Sequence, residues 1–163
     1  MLRFAESDLF SSPAQTLVNP VNTVGVMGKG LALAFRRRFP TAMFDDYVRV
    51  CRARSLRVGT LFLWRGSAPW VLCFPTKTHW RLPSRLDYIE EGLRSFATTY
   101  RTLGITSAAF PLLGCGCGGL DPDDVRALLV RYLERLPIPI DVHTAYWRDA
   151  TRPAAASCER PSS

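Results

Sequence analysis

The stretch VNPVNTVGVMGKGLALAFRRRFP, Val18 to Pro40, decides the fold because it connects a strand to a helix through a glycine-containing loop. The apolar residues from Ala14 to Asn19 predict the strand, and the pattern from Gly28 to Phe39 predicts the helix. Glycine lets the backbone of such a loop approach a ligand closely, and the N–H groups at the helix start point at that ligand. The stretch therefore predicts a binding site for an anion such as a phosphate.

A second junction of the same kind is PLLGCGCGGLD, Pro111 to Asp121. It follows a buried apolar strand, Thr106 to Leu113, and runs into a helical pattern from Asp121 to Leu136 that opens with Asp and Pro, as helices often do. Two loops of this type in one small domain favour a ligand with two phosphates, such as a pyrophosphate. The alternative is that these glycines only form tight turns.

Gly114, Gly116 and Gly119 also fit the GxGxxG pattern of a dinucleotide-binding Rossmann fold. The pattern is weak by itself, and too little chain follows it for a dinucleotide domain and a catalytic domain. An acid that binds ribose, expected about 20 residues further on, is missing, because the nearest candidate, Glu134, falls inside the last helical pattern. The Rossmann interpretation is therefore not favoured.

The rest of the chain alternates short apolar runs with longer helical patterns. We expect further strands at Leu2–Phe4, Thr60–Trp64, Trp70–Phe74 and Ile138–Tyr146, and further helices at Thr41–Arg54 and Ser84–Leu103. The strands at 60–64 and 70–74 are expected to form a hairpin, and Ser84 is the expected N-cap of the long helix. This alternation predicts an α/β sandwich with a largely parallel sheet, in which ligands bind at the carboxyl ends of the strands.

The composition excludes several classes of protein. The 163 residues, 47% of them hydrophobic, are enough for one domain, and the net charge of +7 favours an anionic partner or reflects a merely basic soluble protein. Five cysteines without a CxxC pair, and only two histidines, argue for reduced thiols and against a zinc site. The sequence shows neither a signal-peptide core nor a membrane span of roughly 18 apolar residues. We expect a cytoplasmic monomer with no membrane contact.

Lysine is used at only two positions in this chain. Of the 21 basic residues, 19 are arginine, and the two lysines are Lys29 and Lys77. Lys77 lies in FPTKTHW, directly after a predicted strand, and Lys29 lies at the start of the first helix, where a phosphate contact is reasonable. A partly deprotonated amine can attack carbon or carry a proton, whereas a guanidinium keeps its proton. Lys77 is therefore a candidate catalytic residue, the alternative being a simple cation beside a phosphate.

Three motifs in order, VNPVNTVGVMGKGLALAFRRRFP, FPTKTHWR and FPLLGCGCGGLD, resemble the macrodomain family. Within it they look most like terminal ADP-ribose glycohydrolases, and among these like the DNA-directed antitoxin macrodomains of the DarT/DarG system. The resemblance implies a three-layer α/β/α sandwich with a central six-stranded mixed sheet over residues 1–148. It also implies ADP-ribose lying across both glycine loops, with no cofactor and no metal. Residues 149–163 are expected to be a disordered tail.

The resemblance implies roles for individual residues. Asp8 matches the acid that accepts from the adenine amino group, with Leu9 beside it, and Asn22 matches the residue that orients the distal ribose. Lys77 matches the catalytic lysine of this subclass, and Asp121 matches the acid paired with it in protein-directed relatives. The other implied ADP-ribose contacts are Gly25, Val26, Met27, Gly28, Gly114, Cys115, Gly116, Cys117, Gly118 and Tyr146. Cys117 is a departure, because DNA-directed members commonly have GCGNGG at this place.

The implied reaction cleaves the bond at C1″ of the distal ribose, an acetal-like carbon. Such a cleavage needs a group that attacks or traps this carbon and a group that protonates what leaves. Partial burial beside Phe74 and Trp80 is expected to lower the pKa of Lys77, and Asp121 is expected to raise it. A nucleophilic amine and a Lys77–Asp121 proton shuttle both stay open.

An aromatic and basic cluster, Trp80, Arg81 and Arg85, follows the candidate lysine. Aromatic stacking with arginine–phosphate contacts is how single strands are held, although Trp80 could equally be a packing residue. The favoured function is removal of ADP-ribose from a modified DNA base, thymine being the base that the resemblance implies. The alternatives are hydrolysis of ADP-ribose esters on glutamate or aspartate of proteins, and ADP-ribose binding without turnover. The antitoxin relatives carry a further toxin-binding domain, and we expect no direct toxin sequestration from this chain.

Overall fold

The computed structural model describes residues 1–145 and contains six strands and four α-helices in that range. The strands are β1 (Leu2–Ala5), β2 (Thr16–Asn22), β3 (Phe62–Trp64), β4 (Trp70–Lys77), β5 (Ala108–Pro111) and β6 (Ile140–His143). The helices are α1 (Gly30–Arg38), α2 (Thr41–Arg52), α3 (Leu86–Thr99) and α4 (Pro122–Leu133). The predictions for Tyr146 and for the tail at 149–163 lie outside the described residues.

The six strands form one mixed sheet in the order β1-β6-β5-β2-β4-β3. All neighbouring pairs are parallel except β3 and β4, which form the predicted antiparallel hairpin. The carboxyl ends of β1, β2, β4, β5 and β6 therefore lie at one edge of the sheet. The segments that follow these strands meet at that edge, where ligands of open α/β sheets bind.

Helices cover both faces of the sheet, so the predicted three-layer sandwich is confirmed. The alternation along β4 shows the division, because Leu72 and Phe74 belong to one core cluster and Val71 and Cys73 to the other. The first cluster contains the buried residues of α3 and α4, and the second contains those of α1 and α2. A buried face on each side gives the near-continuous apolar run that marks a central parallel strand.

The predicted helix start at Ser84 is wrong. Helix α3 begins at Leu86, and its N-cap residue is Arg85, whose side chain makes no capping hydrogen bond. Ser84 is instead buried, with 5% of its surface exposed, and its backbone N–H donates to the carbonyl of Gly118 at 3.1 Å. The serine packs against the second glycine loop, which is a contact over 34 residues of sequence that no local pattern indicates.

In the described part of the chain, no helix is both long and apolar enough to cross a membrane. The thiols of Cys51, Cys73 and Cys115 are free, so the predicted reduced state is confirmed at these three positions; it is wrong at Cys117, which is disulfide-bonded. Within residues 1–145, no group of three or more His, Cys, Asp or Glu side chains is placed to hold a metal ion.

Candidate functional site

Two loops form the centre of the candidate site, and both lie at the carboxyl edge of the sheet. Loop 1 is residues 23–29, between β2 and α1, and loop 2 is residues 112–120, between β5 and α4. The segment 78–85 follows β4 beside them, and Asp8 follows β1. The parallel sheet thus brings together most of the residues that the sequence singled out.

The side chain of Asn22 shapes loop 1. Its Oδ1 accepts from the backbone N–H groups of Val24 at 3.1 Å and Val26 at 3.3 Å, and its Nδ2 donates to the carbonyl of Val26 at 2.7 Å. The hydroxyl of Tyr47, on α2, donates to the same Oδ1 at 2.8 Å and also lies 2.8 Å from the carbonyl of Asn22. The pKa of the Tyr47 hydroxyl is raised, mainly by burial, so this group keeps its proton and stays a hydrogen-bond donor.

Other contacts hold loop 1 against its neighbours. Gly25 has a φ of 84°, and a Cβ on it would lie 3.8 Å from Val48 and Cys51 of α2. Thr23 donates through Oγ1 to the carbonyl of Thr78 at 2.9 Å, which joins loop 1 to the segment after β4. Met27 is fully buried, whereas Val24 and Val26 are exposed. The loop is thus anchored by one apolar side chain and presents its backbone at the surface.

Loop 2 requires glycine at two positions for lack of space. A Cβ at Gly118 would collide with Oγ of Ser84 and the carbonyl of Gly114, and one at Gly114 would lie 2.7 Å from Cδ1 of Leu120. Gly114 also has a φ of 74°, which favours glycine. Leu120 closes the loop by donating its N–H to the carbonyl of Gly114 at 3.0 Å.

Gly116 differs from these glycines. A Cβ on it would meet no atom within 4 Å, so the space around this residue is open. The two loops face each other nearby, because a Cβ on Gly30, the first residue of α1, would lie 3.5 Å from Sγ of Cys117. An open glycine between two close loops leaves room for a ligand against the backbone.

Lys77 is the last residue of β4, next to β2 in the sheet, and its side chain reaches loop 2. Its Nζ donates a hydrogen bond to the carbonyl of Cys117 at 3.1 Å, and the side chain is partly buried. Burial, and secondly the positive charge of Lys29, lower the pKa of the Lys77 amine below its ordinary value. The predicted lowering of the Lys77 pKa by burial is therefore confirmed. Trp80, however, is 43% exposed and does not enclose the amine in apolar surroundings.

Lys29, the other lysine of the chain, lies close enough to Lys77 for their charges to interact. It occupies the N-cap position of α1, and its side chain makes no capping bond. A cation is disfavoured at a helix N-terminus, where the dipole is positive, unless an anion is bound there. With two lysines and a helix start converging, the site is electrostatically suited to an anionic group.

The predicted pair of Lys77 and Asp121 is not formed. Asp121 is the N-cap of α4, and its Oδ1 accepts from the N–H of Asp123 at 2.8 Å. Within the described residues Asp121 makes no ion pair with Lys77. The expected rise in the pKa of Lys77 from this carboxylate is not found either, because burial and Lys29 are what shift that pKa. Its charge acts instead on Cys115, whose pKa is raised to about 11 by burial first and then by Asp121. The capping requirement of α4 therefore orients this carboxylate.

Asp8 and Leu9 begin a short 3₁₀ turn after β1. Oδ1 of Asp8 accepts from the N–H of Phe10 at 3.0 Å, and the exposed carboxylate keeps its other oxygen for further contacts. Leu9 is 4% exposed and packs in the core with α1 and α2. Only the backbone of Leu9 is thus placed to face a ligand.

The cluster after Lys77 is partly committed to internal contacts. Arg85 forms an ion pair with Asp87, with Nε and Oδ1 at 3.0 Å, so its charge is compensated. Arg81 lies over the ring of Trp80 at 4.6 Å, and His79 stacks on the same ring at 5.3 Å. Trp80 and Leu82, which is 51% exposed, are the apolar groups that this segment presents to solvent.

Sequence reasoning missed Tyr47, Thr23 and Ser84 as builders of the site. All three act through contacts between segments that are distant in sequence. The one available signal was Tyr47 itself, a polar aromatic on the buried face of α2, because a buried tyrosine hydroxyl needs a partner.

Comparison with known proteins agrees with this geometry. The family model described as Macro domain matches residues 18–129, which include both loops and Lys77. The chain belongs to the macrodomain family.

Individual relatives show which macrodomains this chain is similar to. It is 44% identical over 140 residues to a DNA ADP-ribosyl glycohydrolase of Thermus aquaticus, an alignment covering 83% of this chain and 39% of the relative. The solved macrodomain of Thermus aquaticus DarG superposes with a TM-score of 0.83 at 42% identity, covering 88% of this chain and 98% of that one. Thermosipho africanus DarTG in complex with ADP-ribose gives 0.83 at 40% identity, covering 87% and 41%. The chain thus spans about two fifths of the length of curated relatives of this kind.

The position of Lys29 generates a testable prediction. In Lys29→Gln the neighbouring charge is removed, so the pKa of Lys77 rises, and a smaller fraction of the amine is neutral at a given pH. The rise is partial, since burial is the larger cause. Reductive ¹³C-methylation labels only the two lysines and the N-terminus of this chain, and NMR titration of the Lys77 signal reports its midpoint.

Arg38→Gln is the matched control, because it removes one positive charge at the far end of α1. It should leave the Lys77 midpoint unchanged. Identical midpoints in the wild type and in Lys29→Gln would show that the two lysines do not interact.

Proposed function

We propose that this macrodomain is an ADP-ribosyl glycohydrolase that removes ADP-ribose from modified DNA bases. The observation that carries the proposal is the amine of Lys77, which is partly buried, has a lowered pKa and is hydrogen-bonded to loop 2. Binding alone requires cations but no titratable amine in such a place. A hydrolase acting at C1″ requires a group of this kind.

The substrate is proposed from the relatives together with the two loops. The relatives named DNA ADP-ribosyl glycohydrolase align with this chain over more than four fifths of its length. Loop 2 has open space around Gly116, and loops 1 and 2 each lead into a helix start, whose N–H groups suit the phosphates of ADP-ribose. Thymine is the base that we propose, on family resemblance.

We propose the following placement of ADP-ribose. Asp8 and the backbone of Leu9 bind the adenine, and loops 1 and 2 bind the diphosphate and the distal ribose. Asn22 acts by fixing loop 1, with one amide hydrogen of Nδ2 left for the ribose, since the bond to the carbonyl of Val26 uses only the other. The proposed loop contacts are Gly25, Val26, Met27, Gly28, Gly114, Cys115, Gly116, Cys117 and Gly118.

In the proposed reaction, Lys77 acts on the bond between C1″ and the base. A neutral Nζ can form a bond to C1″ while the electron pair of the glycosidic bond goes to the base, which takes up the proton that the new ammonium gives up. Water then adds at C1″, the C1″–Nζ bond breaks, and ADP-ribose leaves with the lysine restored. A protonated Nζ can instead supply that proton while water attacks C1″. Burial and Lys29 favour the neutral form, and so favour the nucleophilic route in the unliganded site.

We predict that Lys77→Ala and Lys77→Arg both abolish turnover but leave ADP-ribose affinity within a few-fold. The arginine variant keeps the charge and loses the titratable amine. Modified DNA and modified protein are incubated side by side with each variant, and the released ADP-ribose is measured. Calorimetry with free ADP-ribose reports binding.

Three outcomes of this experiment bear on the proposal. Release from DNA and not from protein supports it, and release from protein alone would assign the enzyme to glutamate or aspartate esters. Binding without release from either substrate would leave a recognition module. A borohydride-reduced adduct on Lys77, found by mass spectrometry, identifies the nucleophilic route, because the sugar–lysine bond opens to a reducible imine.

We also propose that the carboxylate of Asp121 takes part in proton transfer, and its capping role allows a clean test. Asn is as good an N-cap as Asp, so Asp121→Asn should keep the stability of the protein. Its turnover should fall by about 100-fold or more if the carboxylate moves a proton. Thermal unfolding and released ADP-ribose are the measurements. Wild-type turnover in Asp121→Asn would leave Asp121 as a helix cap only.

The exposed Trp80 gives a prediction on substrate class. A modified base in a single strand brings neighbouring bases to the segment after Lys77, and stacking on an aromatic ring is worth about 1–3 kcal/mol. Trp80→Ala should therefore weaken processing of modified DNA by roughly tenfold to a hundredfold. Leu82→Ala, which removes an exposed apolar side chain from the same segment, is the control. Equal losses on modified protein would mean that Trp80 only orders this segment.

A further inference from the structure

The positive charge of this protein is unevenly divided between the two helical layers. Residues 30–58, which form α1, α2 and the following turn, carry two acids, Asp45 and Asp46, against seven arginines: Arg36, Arg37, Arg38, Arg49, Arg52, Arg54 and Arg57. In the layer of α3 and α4 the acids equal or exceed the bases. The net charge of +7 therefore resides mainly on the first layer.

The layers also differ in how their charges are paired. In the α3–α4 layer, Glu90 pairs with Arg94 and Arg131, and Asp87 pairs with Arg85. On α2, Asp46 pairs with Arg49. Within residues 1–145, the exposed arginines Arg52, Arg54 and Arg57 form no ion pair with a carboxylate, and we name these three the α2 basic patch.

The conformation of Arg54 is a second, independent observation on this patch. Helix α2 ends in a Schellman motif, in which Ser55 donates to the carbonyl of Val50 at 3.1 Å and Arg54 donates to that of Cys51 at 3.0 Å. Arg54 occupies the left-handed position of the motif, with a φ of 55°, where glycine is usual. An arginine kept at a costly backbone position indicates a role for its side chain.

The patch lies beside the candidate site. Cys51, next to Arg52, packs on Gly25 of loop 1, with 3.8 Å from the Cβ of Cys51 to a Cβ built on Gly25. The turn that contains Arg54 and Arg57 leads into Phe62, which pairs with Cys73 of β4 four residues before Lys77. The patch and the Trp80 segment thus belong to the same edge of the sheet, and one extended ligand can meet both.

We propose that the α2 basic patch binds the phosphate backbone of a single-stranded nucleic acid whose modified nucleotide occupies the site between loops 1 and 2. This inference rests on the proposed function, because the strand it describes is the substrate of that reaction. The occupant is chosen by charge, because three exposed guanidinium groups without a carboxylate partner suit the phosphates of a nucleic-acid backbone. Arg57 donates through Nε to the carbonyl of Arg54 at 3.1 Å and keeps its other N–H groups for a phosphate. Free ADP-ribose is too short to need them.

The test measures binding of an unmodified, mixed-sequence DNA single strand by fluorescence anisotropy at several salt concentrations. In R52Q/R54Q/R57Q the Kd should rise about tenfold at physiological salt. The slope of log K against log salt should become shallower by about 2, since each phosphate contact on a single strand contributes about 0.7. The triple variant R126Q/R131Q/R135Q, called the α4 variant, removes the same charge from α4 and the turn after it and should bind within about twofold of the wild type.

Two further measurements exclude a folding defect. Affinity for ADP-ribose, by calorimetry, should be the same in both triple variants and the wild type. Arg54→Gly removes the cost of holding a non-glycine residue in the left-handed conformation. The thermal midpoint of this variant should therefore equal or exceed that of the wild type, while its DNA affinity falls. A variant that is more stable and binds DNA less well cannot be explained by unfolding.

The remaining outcomes separate this inference from the proposed function. If the wild type releases no ADP-ribose but its DNA affinity depends on the patch, the proposed function is wrong and the patch is still a DNA-binding surface. If DNA affinity in R52Q/R54Q/R57Q equals that of the wild type, or falls equally in the α4 variant, the patch is overturned whatever the enzyme does. Tighter binding of polyglutamate than of DNA to the patch would assign it to an acidic protein and overturn the inference as well.

Discussion

The carboxamide of Asn22 is the contact on which the site depends. It is buried at the end of β2, where its oxygen accepts from loop 1 and from Tyr47 of α2 and its nitrogen donates to loop 1. A buried amide that loses such partners costs about 1–3 kcal/mol, so loop 1 and α2 are strongly held in their relative positions. That arrangement delivers Lys29 to the start of α1, within electrostatic range of Lys77.

Loop 2 is fixed by a different means, which is the absence of side chains. A Cβ at Gly118 would collide with Ser84 and the carbonyl of Gly114, and one at Gly114 would press on the side chains of Leu120 and Ser84. Ser84 in turn stands directly before α3, so the loop and the segment after Lys77 are packed together. Two loops shaped before any ligand arrives lose little conformational entropy on binding, which is the general advantage of preorganised sites.

The fold was predicted well because the patterns that indicate it lie within short stretches of sequence. Alternating apolar runs and helical patterns identified the layers, the hairpin of β3 and β4, and both glycine loops. The errors all concern contacts between distant segments: Ser84 packs on Gly118 instead of capping α3, and Asp121 caps α4 instead of pairing with Lys77. The effect of Lys29 on Lys77 belongs to the same class, because 48 residues separate them and only the parallel order of β2 and β4 makes them neighbours.

Two lysines in one site solve a problem that a single lysine would leave. A diphosphate bound beside Lys77 attracts its proton and raises its pKa, which would remove the neutral amine just when substrate is present. Lys29, exposed at the start of α1, is placed to meet the same anion and to compensate part of its charge. It also repels a proton from Lys77 before the anion arrives. Under the proposed function, one amine therefore balances the ligand so that the other can titrate, which accounts for lysine at position 77 in a chain where 19 of the 21 basic residues are arginine.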